Sequence, residues 1–377
     1  MPRLTSWARR SPIVALPVAA LLVAAAGTGS ALAASPAHRV SADARVTDSP
    51  RGAVAKITWH RLHLINGWKS GSTKPLDTGA PSYAVSGGMV YLTGSLHQPH
   101  GADAIFAKLP KGARPAHKLW IEIWTNSAAG TLFIGPDGMM QAYNGGAQVL
   151  ASLATVSFPT AAIKPHALKL LNHWVSSQSV FNSGAPSYAI SGGVVHLSGA
   201  LHRTSGSSDL LAVLPRPARP RHDMYLTVYS DAGAVSSLHI TPGGSVLASG
   251  SATGAFTSLA AISYPVATTR WHKLSLEDGW KSSQSSYNSG DPSYAVIRGV
   301  VYLSGSMHEA SGDSGLFGTL PPAARPAHVL DFGTYAFNGV FGALGMVPNG
   351  FMLVVSHPQA SAMSYTSLAA ISYPRSS

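Results

Sequence analysis

The sequence predicts an all-β chain built from three tandem β-sandwich, jelly-roll-like domains. One unit occurs three times, its apolar residues alternate with period two between short runs of Gly, Pro, Asn and Asp, and no stretch carries a convincing helical period. The landmarks barely drift. Trp68, Trp174 and Trp280 are spaced by 106 residues each time, and Tyr83, Tyr188 and Tyr294 by 105 and then 106. A period of about 100 residues is the size of a domain, where solenoid repeats run to about 20–50, so each copy can own a core of about eight strands.

In chain order, residues 1–33 read as an export signal. Arg3, Arg9 and Arg10 give a positive start, Ile13 to Ala26 an apolar run, and Ala31-Leu32-Ala33 a small-residue cleavage site. Pro12 follows the arginine pair, which favours general secretion over a twin-arginine route. No later apolar run reaches the ~18 residues of a membrane span, so free secretion or wall association is expected, without a transmembrane anchor. Residues 34–56 mix Ala, Pro, Ser, Asp and Arg without periodicity and read as a disordered lead. The repeats then occupy residues 57–159, 165–265 and 271–374, joined by links too short to hold them far apart. A compact three-domain body is expected.

Within a unit, Pro136-Asp137-Gly138, Pro242-Gly243-Gly244 and Pro348-Asn349-Gly350 suit tight turns between strands. In the strand after each Arg-Pro pair, Leu119, Ile121 and Ile123 share one face and Trp120, Glu122 and Trp124 the other. The parity is kept by Met224, Leu226 and Val228 against Tyr225, Thr227 and Tyr229, and in the third copy Leu330 and Phe332 lie opposite Tyr335. Cysteine is absent, so stability must come from burial. The net charge of +11 is scattered, and no nucleic-acid motif accompanies it.

Gly67-Trp68, Pro81-Ser82-Tyr83, a Val-x-Leu-x-Gly strand at Val90 to Gly94, Leu109-Pro110, Arg114-Pro115, the Pro-x-Gly turn and a closing Ser152-Leu153 to Phe158 have counterparts in this order in all three copies, with His173 in place of the first glycine in the second and Tyr264 and Tyr373 in place of Phe158. The series resembles the carboxy-terminal β-sandwich domain of phage tail fibres and minor tail proteins. The resemblance implies a domain carried at a fibre tip, trimeric about a threefold axis and able to bind a host surface. This chain departs from that pattern in its export signal and its lack of shaft or tail-attachment sequence. Triplication then implies that three fused copies replace three subunits, a monomer with a pseudo-threefold body.

Three residue sets can carry binding chemistry. Trp124, Tyr229 and Tyr335, and likewise Trp68, Trp174 and Trp280, can stack on sugar rings; packing between or at the edge of modules is the competing role. His97, His202 and His308 can ligate a metal if a threefold arrangement gathers them, and otherwise face water. His117, His222 and His328, and His60, His166 and His272, recur as well, which weakens the case for any one set. A glycosidase needs a carboxyl pair, and Asp103, Glu122 and Asp137 have no acidic counterparts in both other copies. Gly312-Asp313-Ser314-Gly315 matches a protease nucleophile segment in letters only, without accompanying His and Asp. A non-catalytic, cofactor-free binding or adhesion protein for a glycan or cell-wall polymer is expected. The alternative is a structural protein of an exported or tail-like assembly that meets protein partners.

Overall fold

The computed structural model describes residues 57–72, 77–101, 103–312, 314–355 and 359–375. Residues 1–33 and 34–56, read from the sequence as an export signal and a lead, lie outside the described residues. Gly52–Ser377 belong to one compact unit, almost entirely β.

Each repeat builds two antiparallel sheets around its own core. In the first, a four-stranded sheet runs His60–Arg61, Ser82–Ser86, Met89–Thr93, Ser157–Pro159. A seven-stranded sheet runs Lys69–Ser70, Ser95–His97, Ala151–Ser152, Leu119–Thr125, Ala128–Ile134, Met139–Tyr143, Ile105–Lys108. The third repeat copies both orders. In the second, the larger sheet divides into three and four strands joined by the single bridge Ser230↔Thr257. The strands outnumber the eight expected, because edge segments as short as His60–Arg61 pair without an alternation long enough to read. Short helices also appear at Gln178–Phe181, Gln284–Tyr287 and Gln359–Ser364, where none was expected. One turn of helix is too short to show a 3.6-residue period. Asn182 and Asn288 end the first two in the left-handed region, at φ 53° and 50°.

The repeated motifs are locks inside each module. Gly138, Gly244 and Gly350 have φ of 91°, 93° and 100°, and a Cβ at each would lie 2.6 Å from the carbonyl oxygen of Leu109, Leu214 or Leu320. That same carbonyl accepts the Arg114, Arg219 or Arg325 Nε–H at 3.0, 3.0 and 3.1 Å. The Leu-Pro, Arg-Pro and Pro-x-Gly signatures therefore meet at one point, and only glycine fits it.

The modules close into a ring. Lys118 N–H donates to Asn182 C=O at 3.0 Å, Asp223 N–H to Asn288 C=O at 3.0 Å, and Val329 N–H to Asp77 C=O at 2.8 Å. These equivalent bonds run from the first module to the second, the second to the third, and the third back to the first. Core packing follows the same cycle: Ala260 and Ala261 of the second module pack on the core of the first, Ala369 and Ala370 on that of the second, and Ala154 on that of the third. Around the axis, strands Leu119–Thr125, Met224–Tyr229 and Leu330–Ala336 each lie against the other two. Elsewhere Met89, Val194 and Val300 from all three modules join Tyr91 and Tyr302 in one apolar cluster. The chain thus has the pseudo-trimeric packing that its triplication implies.

Candidate ligand sites at the module seams

Trp68, Trp174 and Trp280 are buried, and their indole N–H groups donate to the backbone carbonyls of Asp103, Ser208 and Ser314 at 2.8–2.9 Å. Their rings pack inside the module cores. Of the second aromatic set, Trp124 is 3% exposed and Tyr229 and Tyr335 are half-buried, all three lining an axial cavity of about 110 Å³. The structure therefore places the first set in the module cores and the second at the axial seam.

Aromatic packing fills two of the three seams. Trp120 meets Phe181 and Phe256 of the second module. Tyr225, stacked on His239 with centroids 4.3 Å apart, meets Tyr287, Tyr335 and Tyr365 of the third. At the third seam, Asp331 occupies the aligned position. It is buried, and burial pushes its carboxyl up to about 6. On the axis, Glu122 lines the cavity, its Oε2 buried without a hydrogen-bond partner among the described residues. Burial pushes its carboxyl up to about 8, against the opposing influence of the Thr227 hydroxyl.

His97, His202 and His308 sit on strands of the larger sheets. His202 and His308 place Nδ1 3.0 Å from the hydroxyls of Ser177 and Ser283. Among the described residues no group of three or more His, Cys, Asp or Glu is arranged to hold a metal ion. His60, His166 and His272 stack on Tyr83, Tyr188 and Tyr294 across strand pairs, at 5.2–5.3 Å between centroids. His117, His222 and His328 reach across the seams, their ring Cδ2 atoms 2.7 Å from where a Cβ on Gly184, Gly290 or Gly79 would stand. These glycines let each histidine close on the next module.

Behind each of these histidines lies a crevice, and the three differ. Between the second and third modules only about 20 Å³ is left, with Trp271 on its wall. Between the first and second, where Pro165 aligns with Trp271, about 220 Å³ is open. Between the third and first, the crevice is about 660 Å³, walled by Trp59, Arg61, Asp77, Thr93, His328 and Arg375 among others. At the first seam, Ile163 of the linker comes close enough to Gly88 to fill the room of a side chain.

The third crevice combines an aromatic platform with positive charge. Trp59 is 36% exposed, and neither Arg61 nor Arg375 has an acidic partner among the described residues. Asp77 lies 3.3 Å from His328 Nδ1. The Gly79 N–H and the Ser72 hydroxyl hold its carboxyl below the usual range, with a smaller contribution from His328. An exposed Arg61 and a part-buried Arg375 beside an indole suit a ligand with sugar rings and with hydroxyl or anionic groups.

Trp59 is the residue that reasoning from the repeat misses. It precedes the first shared motif and aligns with Pro165 and Trp271, so a search for residue types common to all copies passes over it. No protein family, curated protein or solved structure matches this chain. Among the described residues no helix is long and apolar enough to cross a membrane.

Proposed function

We propose that the protein is an exported, non-catalytic binding protein that holds a glycan or cell-wall polymer in the crevice between its third and first modules. The observation that carries this reading is a 660 Å³ crevice bearing an exposed indole and two arginines without acidic partners among the described residues. Its volume falls within the ~300–1,000 Å³ of ordinary ligand sites, and stacking with bidentate hydrogen bonding is how proteins commonly hold sugars that carry acidic groups. The resemblance of the repeated motif to tail-fibre tip domains, which bind host surfaces, points the same way. The basic net charge supports an anionic polymer over a neutral one.

Co-sedimentation of residues 34–377 with purified cell walls and a panel of insoluble polysaccharides, with released reducing ends assayed in the same tubes, tests the proposal. Binding without release is expected, weakened by added salt and reduced at least about tenfold in the Arg61→Ala, Arg375→Ala double variant. Release of reducing ends would require a catalytic reading. Absence of binding would shift the weight to a protein partner in an exported assembly.

A further inference from the structure

The seam between the first and second modules carries a separate feature, independent of the crevice just described. Its 220 Å³ opening has apolar walls from Leu119, Ile163, Pro165, Ala167 and Ala189, with His117 at one side. Two polar side chains on these walls have a buried atom with no partner among the described residues: Ser183 Oγ and His196 Nδ1, on residues 2% and 4% exposed. Burying a polar group without a hydrogen bond costs on the order of 1–3 kcal/mol, so two at one opening call for an occupant.

Pseudo-symmetry shows why these two are orphaned. Thr78 and Ser289, the counterparts of Ser183, share hydrogen bonds with the Ser95 and Ser306 hydroxyls at 2.7 and 2.5 Å. In the second module the matching serine is Ala200. Tyr91 and Tyr302, the counterparts of His196, lie together in the apolar cluster formed by all three modules, and the histidine has no such partner among the described residues. Burial drives the His196 ring down to about 4, so at neutral pH it is uncharged, with one N–H and one lone pair to offer.

We propose that this seam is a second binding site, for a small, neutral, mostly apolar molecule carrying one or two hydroxyl groups. Neutrality follows from the walls, which among the described residues present no Asp, Glu, Lys or Arg. The hydroxyl follows from Ser183 and His196, since a hydroxyl both donates and accepts. Small size follows from an opening below the ~300 Å³ lower end of sites for drug-sized ligands.

Benzyl alcohol is a suitable probe, with toluene as its hydroxyl-free comparator. Titration of the full chain, followed by the His196 imidazole ¹⁵N resonances and by thermal unfolding, is expected to show saturable binding of benzyl alcohol with a shift at His196. Toluene is expected to bind about fivefold or more weakly, one hydrogen bond's worth. Pro165→Trp places in this seam the indole that walls the nearly closed crevice between the second and third modules, and it should abolish binding while the protein still unfolds cooperatively. Ala200→Ser gives Ser183 its missing partner and should erase much of the preference for alcohol over toluene, a readout that stands if Pro165→Trp folds poorly. A crevice that holds only water would give no saturable binding and no His196 shift; that result, or equal binding of both probes, would overturn the proposal.

Discussion

Trp68, Trp174 and Trp280 bury large apolar rings and also tie a loop, because each indole N–H ends on a carbonyl about 35 residues away. Trp280→Ala should therefore cost about 3–5 kcal/mol, read as a lowered urea midpoint. Their recurrence was legible in the sequence; their role was not, since a repeated tryptophan reads the same in a core and on a sugar platform. Glu122 makes a second prediction. The folded protein keeps its proton up to about pH 8, whereas the unfolded chain releases it near 4.5. The contribution is fully present below pH 4.5 and is lost as pH rises through 8, with a slope of at most about 1.4 kcal/mol per pH unit. Glu122→Gln keeps the shape and removes the charge, so the variant should unfold at a higher temperature than wild type above pH 8 and at nearly the same temperature near pH 5. Equal pH profiles would show that the carboxyl is not enclosed.

Strand pairs and turns form the next scale. Period-two alternation gave the strand Leu119–Thr125 and its two counterparts with the correct inward face, and the Pro-x-Gly turns lie where their chemistry demands. What alternation could not reveal is the bond from each Arg-Pro arginine to the leucine carbonyl, since a single arginine in a loop has no local signature. Gly244→Ala should be destabilising by about 1–3 kcal/mol, because the residue sits at φ 93° with a carbonyl oxygen 2.6 Å from the new methyl group. Circular dichroism melts of this variant beside Gly112→Ala, where a Cβ meets nothing within 4 Å, separate strain from loss of chain flexibility.

The whole molecule is a ring of three modules closed by three equivalent hydrogen bonds, and its function is argued from where that symmetry fails. Light scattering should give the mass of one chain, and small-angle scattering a radius of gyration of about 20 Å for the folded body, as for any compact chain of this length. A stable homotrimer or an extended string of domains would contradict the closure. Triplication made this shape readable from the sequence, because short linkers and apolar second faces leave three sandwiches little choice but to dock. The open seam was not readable, because the three crevices differ in volume although their flanking motifs are shared, and the residue before the first shared histidine is Trp59, Pro165 or Trp271. The most direct test compares wild type, Trp59→Ala and Trp271→Ala for binding to cell-wall polymer, with the unfolding midpoint recorded for each. Loss of binding by Trp59→Ala at an unchanged midpoint, with Trp271→Ala less stable yet still binding, is the result this account predicts. Full binding by Trp59→Ala would contradict it.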